Sequence, residues 1–344
     1  MATTTPQVQQ PSPMPIFEAL NAFQRTAALK AAIELEVFTA IAATGEGRAT
    51  ANELAERCKS AQRGMRILCD YLVVMGFLNK VEARYGLTPE SALYLDERSP
   101  AYMGSAARFL TAPEIMDAYR ELTAAVRKGG TMMGQEGSVE PENPIWIEFA
   151  RSMSPMMALP AQMIAKLISA EPGRIRKVLD IAAGHGLFGI NIALQNPQAE
   201  IFALDWPAVL EVAKENAQKT GVSDRYHTLA GSAFEVGFGA GYDLVLLTNF
   251  LHHFDAAACE GLLRRVHAAL VEGGRAVTFE FVPNEDRVSP PQTAGFAMIM
   301  LGTTPSGDAY TFSEFDRMFR NAGFTRSELH PLPPTPESVI VSYK

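Results

Sequence analysis

The chain is poor in cysteine, has no surplus of positive charge and contains no long apolar run. Its three scattered cysteines, Cys58, Cys69 and Cys259, form neither a disulfide framework nor a C-x-x-C metal pair, and they suit a reducing interior. The formal net charge of −8 disfavours a nonspecific electrostatic contact with nucleic acid. No apolar run approaches the ~20 residues that cross a bilayer. We therefore expect a small-molecule partner, and no metal, nucleic acid or membrane partner.

The start of the chain lacks the basic residues and the apolar core of a secretory signal, which favours a cytoplasmic location. Residues 1–13 are rich in Thr, Pro and Gln and predict a disordered arm. The remaining length is enough for two or three domains. Apolar residues make up 47% of the chain, which is ample for a sizeable core.

Residues 14–105 carry the pattern of a winged helix. Apolar residues recur at helical spacing, Thr50-Ala-Asn-Glu53 predicts a capping box, and residues 76–88 alternate as a short hairpin does. A ligand-sensing DNA-binding regulator is one function for this fold. However, Ala49–Pro100 holds seven basic and seven acidic residues, which is a poor footprint for a phosphate backbone. We expect this module to serve packing and homodimerisation instead.

The rest of the chain changes character near position 173. Residues 106–172 predict a helical linker, to which the resemblance given below adds the helices of a substrate pocket, whereas in 173–344 strand-like runs alternate with helices of ten to fifteen residues. The last two runs, FTRSELHPL and SVIVSYK, predict an antiparallel pair. We therefore predict an α/β domain with a Rossmann-like, mostly parallel sheet of seven strands whose last strand is antiparallel, preceded by an all-helical module.

A glycine-rich turn follows the first strand of this domain. Gly184-x-Gly186-x-x-Gly189 lies between a strand and a helix, and Asp205 follows some twenty residues later, as in a dinucleotide site. An NAD-dependent oxidoreductase is therefore one interpretation. Asp180, at the end of the preceding strand, counts against it, because a carboxylate there suits a cationic ligand with an α-amino group and a sulfonium better than a pyrophosphate.

Two histidines, His252 and His253, follow the strand YDLVLLTNF. Loops at the carboxyl ends of strands carry the ligands in doubly wound sheets, so both histidines should face the crevice that holds the cofactor. Histidine is a natural general base near neutral pH. The position in the sequence does not say which of the two acts.

At these residues the chain resembles the small-molecule O-methyltransferases, which include caffeic acid and acetylserotonin methyltransferases and bacterial polyketide and carotenoid relatives. The segments VLDIAAGHG, FALDWPAV, AGSAFE, NFLHHFDAAACEGLLRRV and MIMLGTTPSGDAYTFSEFDRMFRNAGF carry the resemblance, which covers nearly the whole chain. It implies a class I methyltransferase domain, S-adenosylmethionine as cofactor with S-adenosylhomocysteine as product, and O-methylation of an aromatic or polyketide-type hydroxyl. Carbon and nitrogen acceptors stay open, as does a family member that binds the cofactor without methylating.

The resemblance also assigns roles to residues. It implies His252 as the catalytic base and Glu280 as the carboxylate that orients it. The implied cofactor residues are Asp180, Gly184, Gly186, Asp205, Trp206, Ser232, Ala233, Phe234, Thr248 and Asn249. The implied acceptor residues are Phe149, Met153, Met156, Met157, His253, Ile299 and Met300. Phe149, Met153, Met156 and Met157 also share one helical face by their i, i+4, i+7, i+8 spacing.

Several positions depart from the family pattern. Ala182 and Ala183 stand where glycines are common, Ser232 replaces an aspartate near the adenine, and Thr248 replaces a lysine. A second carboxylate that flanks the base in the plant enzymes falls on Ala309 here. One support of the base is therefore missing from its usual position.

Overall fold

The computed structural model describes residues 11–169 and 174–344. The chain divides into two compact units, Met1–Ala107 and Arg108–Lys344. Most of the predicted arm, up to residue 10, lies outside the described residues, and so does the predicted boundary at residues 172 and 173. No helix in the described part of the chain is both long and apolar enough to span a membrane.

The first unit consists of short helices and a small sheet. Its elements are α1 (Met14–Leu20), α2 (Ala22–Glu34), α3 (Val37–Ala42), β1 (Arg48–Thr50), α4 (Ala51–Arg57), α5 (Gln62–Val74), β2 (Leu78–Val81), β3 (Arg84–Leu87) and α6 (Pro89–Tyr94). The predicted hairpin is β2–β3, and β1 joins it as a third antiparallel strand that the sequence pattern did not predict.

The predicted capping box begins α4. The hydroxyl of Thr50 accepts a hydrogen bond from the Glu53 N–H at 3.3 Å, and the carboxylate of Glu53 accepts one from the Thr50 N–H at 2.7 Å. Two N–H groups that lack partners within the helix are thus satisfied by side chains of the same turn. Behind this helix, Phe38, Leu54 and Tyr85 are buried in the core of the unit.

The second unit contains the remaining helices and a seven-stranded sheet. Its helices are α7 (Ala107–Leu110), which begins at the division, α8 (Pro113–Arg120), α9 (Leu122–Lys128), α10 (Ile145–Ser152), α11 (Ser154–Ile168), α12 (Leu187–Gln195), α13 (Pro207–Lys219), α14 (Ala256–Ala269), α15 (Pro291–Ala294), α16 (Phe296–Thr303) and α17 (Phe312–Asn321). Its strands are β4 (Lys177–Ile181), β5 (Glu200–Asp205), β6 (Tyr226–Ala230), β7 (Tyr242–Thr248), β8 (Leu270–Glu280), β9 (Arg326–Pro331) and β10 (Ser338–Tyr343).

The sheet confirms the predicted fold class. Its order is β6-β5-β4-β7-β8-β10-β9, with parallel pairing from β6 to β8. The last strand, β10, lies between β8 and β9 and is antiparallel to both, with Ser338 opposite Glu280. This pairing brings the start of β10 to the end of β8, which is also the end of the sheet where the site is formed.

Helices cover both faces of the sheet, which explains why its strands are almost continuously apolar. In β4, Val178 contributes to the core on one face and Leu179 to the core on the other. Neighbouring Leu246 and Val245 of β7 divide in the same way. Side chains of a strand alternate between the two faces, so a strand that is buried on both sides needs an apolar residue at every position.

Candidate active site

The loop after β4 turns sharply into α12. Ala182, Gly184 and Gly186 all have positive φ, at 54°, 56° and 75°. A Cβ at Gly186 would lie 2.5 Å from Oη of Tyr226 and 3.0 Å from Cβ of Ala213, so only glycine fits there. At Gly184 the nearest atoms are 3.9 Å from such a Cβ, which leaves open space on that side of the loop. The loop is therefore tightly packed at Gly186, against Tyr226 and Ala213, and open at Gly184.

Asp205, at the end of β5, holds this loop in place. Its Oδ2 accepts a hydrogen bond from the Gly184 N–H at 2.8 Å, and its Oδ1 accepts one from the Trp206 N–H at 2.7 Å. Burial raises the pKa of Asp205 to about 6. The carboxylate is thus fixed in direction and ionised at neutral pH, which suits it to accept hydrogen bonds from ribose hydroxyls.

Asp180 lies beneath the loop and is fully buried. Its Oδ2 accepts a hydrogen bond from the Gly189 N–H at 3.0 Å, whereas its Oδ1 has no hydrogen-bond partner among the described residues. Burial raises the pKa of Asp180 to about 7, and the negative charge of Asp205 acts in the same direction. Asp180 therefore lies below the loop and does not line the cavity.

A cavity of about 500 Å³ opens at the carboxyl ends of these strands. It is lined by Glu136, Val139, Pro141, Trp146, Phe149, Ala182, Gly184, Leu204, Asp205, Trp206, Val209, Gly231, Ser232, Ala233, Phe234, Glu235, Thr248, Asn249, Phe250, His253 and Phe254. All the predicted cofactor residues except Asp180 and Gly186 are in this set. Gly186 instead contacts Tyr226 and α13 behind the loop.

Three phenylalanines form one end of the cavity wall. The ring centroids of Phe234 and Phe254 are 4.8 Å apart, those of Phe250 and Phe254 are 5.0 Å apart, and both pairs meet edge to face. Phe234 was predicted, whereas Phe250 and Phe254 were not. Their position on either side of the histidine pair, in the segment NFLHHF, was the signal that could have indicated them.

His252 is held by Glu280, as the resemblance implied. The Nδ1 atom of His252 is hydrogen-bonded to Oε2 of Glu280, and both side chains are buried. Oε1 of Glu280 accepts hydrogen bonds from the N–H groups of Phe250 and Leu251, at 3.0 and 2.8 Å. The carboxylate therefore fixes the imidazole with its proton on Nδ1 and leaves Nε2 as the basic nitrogen.

The two histidines occupy different environments. Of the described residues, His253 rather than His252 reaches the cavity wall, where its ring meets that of Trp146 at 5.1 Å between centroids. The ring of His252 lies 4.2 Å from that of His253 and 4.8 Å from that of Phe296 on α16. Burial lowers the pKa of His253 well below its ordinary value, and a positive charge on His252 lowers it further. His253 is therefore neutral at neutral pH.

The predicted acceptor residues divide into two groups. Phe149 and His253 line the cavity. Met157 is buried in the core, and its Sδ accepts a hydrogen bond from Nδ2 of Asn249 at 3.6 Å. Met156 packs against the same core. Met153 and Met300 are buried and Ile299 is half-buried, and none of these three lines the cavity. Contact of the five non-lining residues with an acceptor stays a prediction.

The remaining wall comes from residues that the sequence patterns missed. Glu136, Val139 and Pro141 belong to the connection between α9 and α10, and Nε1 of Trp146 donates a hydrogen bond to the Ser138 carbonyl at 2.9 Å. This connection has no periodicity from which a site could be inferred.

Two family models match the chain. A model of the O-methyltransferase domain matches residues 119–325, and a model of the O-methyltransferase dimerisation domain matches residues 17–97. The chain belongs to the O-methyltransferase family. Members of this family are S-adenosylmethionine-dependent enzymes, and the family match favours this cofactor over the dinucleotide that the glycine spacing also allowed.

Three similar proteins illustrate the relationship. The 3-hydroxy-5-methyl-1-naphthoate 3-O-methyltransferase of Streptomyces sahachiroi is 30% identical over 307 residues, covering 87% of this chain and 86% of its own. A solved structure of a candidate O-methyltransferase from Nostoc punctiforme is 56% identical, with a TM-score of 0.94 over 97% of this chain and 100% of its own. Human N-acetylserotonin methyltransferase, solved with S-adenosylmethionine, is 20% identical, with a TM-score of 0.84 over 99% of each chain, and shares the fold.

The residues of the O-methyltransferase cavity fit a cationic nucleoside. Glu136, Asp205 and Glu235 bring three carboxylates to its wall, which suits a positively charged sulfur and an amino group. Oδ1 of Asn249 is buried there without a hydrogen-bond partner among the described residues, which leaves an acceptor for a ligand. Apolar rings beside these groups provide surfaces for a base.

Proposed function

We propose that this enzyme methylates a hydroxyl of an aromatic or polyketide-type small molecule, with His252 as general base. The observation that carries the proposal is the hydrogen bond from His252 to Glu280, which leaves Nε2 free to accept a proton. A phenol with a pKa of about 10 is a poor nucleophile at neutral pH. S-adenosylmethionine, when bound, supplies a methyl group on a positively charged sulfur. Nε2 of His252 would take the proton of the acceptor hydroxyl, so that the oxygen can bond to the methyl carbon while the carbon–sulfur bond breaks and S-adenosylhomocysteine leaves.

The surroundings of His252 support an aromatic acceptor. Trp146, Phe149 and His253 present rings to the cavity, and Phe296 lies against His252 and stacks on Phe281 at 3.8 Å between centroids. Flat apolar walls bind flat apolar ligands and exclude water from the base. The relative from Streptomyces sahachiroi is named for a naphthoate, which is an acceptor of this class.

The roles of the cavity residues follow from their chemistry. Asp205 would bind the ribose hydroxyls, and the open side of the loop at Gly184 would accommodate the amino acid part of the cofactor. Phe234, Phe250 and Trp206 would enclose the adenine. Asn249, whose side-chain oxygen has no hydrogen-bond partner among the described residues, would accept a hydrogen bond from the cofactor. These assignments are supported by the lining of one continuous cavity.

Replacement of His252 by alanine tests the proposal. We expect turnover to fall on the order of 10²–10⁴-fold, while affinity for S-adenosylhomocysteine stays nearly unchanged. His227→Ala is a matched control, because His227 is also paired with a glutamate, Glu200, but lies half exposed at the sheet edge. Unchanged turnover in His252→Ala would remove the residue from this role. Mass spectrometry of products from a panel of hydroxynaphthoates would identify the acceptor class.

A homodimer formed by the 14–105 module is part of the same proposal, as are a linker with acceptor helices at 106–172 and a cofactor domain at 173–344. Met14, Ile16, Phe17, Leu20 and Phe23 are each more than half exposed, which leaves an apolar surface for a second copy. Light scattering at micromolar concentration tests the dimer. The three free thiols support a reducing, cytoplasmic setting.

A further inference from the structure

A second buried carboxylate, Glu337, lies next to the catalytic pair and has no role in the mechanism above. The residue is only 6% exposed. Glutamate is almost never buried to this extent unless it is paired or has a function, because loss of hydration penalises the charged form. It immediately precedes β10, outside every segment that the sequence patterns assigned to the site.

Strand pairing places Glu337 beside Glu280. Ser338, the first residue of β10, lies opposite Glu280, the last residue of β8. Glu337 therefore lies at the end of the sheet where Glu280 meets His252. The backbone pairing of β10 with β8 sets this position of Glu337. The strand that follows holds it there, because Val339 and Ile340 are fully buried.

A second contact fixes the same segment from the other side. The hydroxyl of Thr293 on α15 donates a hydrogen bond to the Pro336 carbonyl at 2.7 Å, and Thr293 is buried. Three residues later, Phe296 begins α16 and places its ring against that of His252. The segment before β10 is thus tied both to the strand of Glu280 and to the helices that cover His252.

The charges of the three groups act on one another. Burial raises the pKa of Glu337 above its ordinary value, and the negative charge of Glu280 raises it further. The N–H of Glu337 itself, the hydroxyl of Thr335 and a positive charge on His252 act in the opposite direction. Because an interaction between two charges is mutual, an ionised Glu337 favours the protonated form of His252.

We propose that Glu337 is a positioning residue whose carboxylate stabilises the protonated imidazole of His252, which forms as the base takes the proton from the acceptor hydroxyl. The proposal depends on His252 as general base. It also gives a meaning to Ala309, which is buried and falls where the plant enzymes carry the second carboxylate. Glu337 supplies negative charge from the β10 side instead and is not among the residues that line the cavity.

Glu337→Gln tests this proposal because it keeps the size of the side chain and removes its charge. We expect kcat on the plateau to fall about tenfold, as for loss of one nearby charge, and the acid limb of the kcat–pH profile to move to lower pH. Affinity for S-adenosylhomocysteine should stay nearly unchanged. Glu328→Gln, which removes a half-exposed carboxylate of β9, is the matched control and should leave the profile in place.

A purely structural role predicts a different outcome. It would lower the melting temperature and leave the acid limb where it is, and that result would overturn the proposal, as would a profile identical to that of the unmodified enzyme. If Glu337→Gln does not fold, Glu337→Met carries the same test, since its apolar chain suits the buried position. Failure of the underlying function is distinguishable, because His252→Ala would then retain activity.

Discussion

The Nδ1 atom of His252 is hydrogen-bonded to one carboxylate oxygen of Glu280, and the other oxygen accepts hydrogen bonds from two backbone N–H groups. This arrangement makes the proton position on the imidazole depend on Glu280. A carboxylate can only accept at Nδ1, so the Nδ1–H tautomer is enforced and Nε2 remains a base. His252 can therefore act as a base only while Glu280 accepts the hydrogen bond from its Nδ1.

Glu280→Gln is expected to lower turnover on the order of 10²–10⁴-fold, with little loss of cofactor affinity. The amide oxygen can still accept from the N–H groups of Phe250 and Leu251, so the loop keeps its shape. The amide nitrogen then donates to Nδ1 and places the imidazole proton on Nε2, where it blocks the base. Single-turnover rates measured with S-adenosylhomocysteine affinity check this, and a variant with normal turnover would contradict it.

Asp180→Asn is expected to raise the melting temperature of the ligand-free protein at pH 8 and to weaken cofactor binding. The ordinary pKa of 3.8 is raised to about 7 in the folded chain, so the folded state binds more protons between about pH 4 and pH 7. The contribution of Asp180 to stability therefore falls as pH rises through that window. The asparagine oxygen can still accept from the Gly189 N–H.

Calorimetry at pH 4.5 and pH 8 separates the two parts of this expectation. The gain in melting temperature should be present at pH 8 and much smaller at pH 4.5, where the aspartate of the folded chain is protonated. An asparagine variant that is less stable at pH 8 would show that the carboxylate stabilises the fold, and the account of a buried, ligand-directed charge would be wrong.

Gly186→Ala is expected to destabilise the protein by about 1–3 kcal/mol, because the new methyl group meets Tyr226 and α13 while the backbone keeps a positive φ. Gly184→Ala is the matched comparison. It has a similar φ of 56° but open space around the added atom, so it should cost less stability and act mainly on cofactor affinity. Equal losses of stability in the two variants would show that backbone strain, and not the contact of the methyl group with Tyr226 and α13, causes the loss.

The central parallel strands and the residues at their ends were predictable from local pattern. Runs such as IFAL and LVLL are continuously apolar because both faces of the sheet are covered, and Asp205 is the last residue of its strand. The glycine loop is predictable from the spacing of Gly184, Gly186 and Gly189. In each case the signal lies within a few neighbouring residues, which is the range over which sequence patterns carry information.

Residues that reach the site from distant parts of the chain could not be predicted in this way. Glu136 and Pro141 lie in a connection without periodicity, and β1 is only three residues long. Glu337 becomes visible only through the pairing of β10 with β8, a contact across more than fifty residues. For such residues the tertiary structure, and not the local pattern, determines the environment.

His253→Gln is expected to change the KM of the acceptor while leaving the acid limb of the kcat–pH profile in place. Burial holds the pKa of His253 well below its ordinary value, so this side chain does not titrate near neutral pH, and its ring lines the cavity beside Trp146. His252→Gln should abolish most of the turnover instead. If His253→Gln removed the acid limb and His252→Gln retained it, the base would be the second histidine and the pairing with Glu280 would be structural.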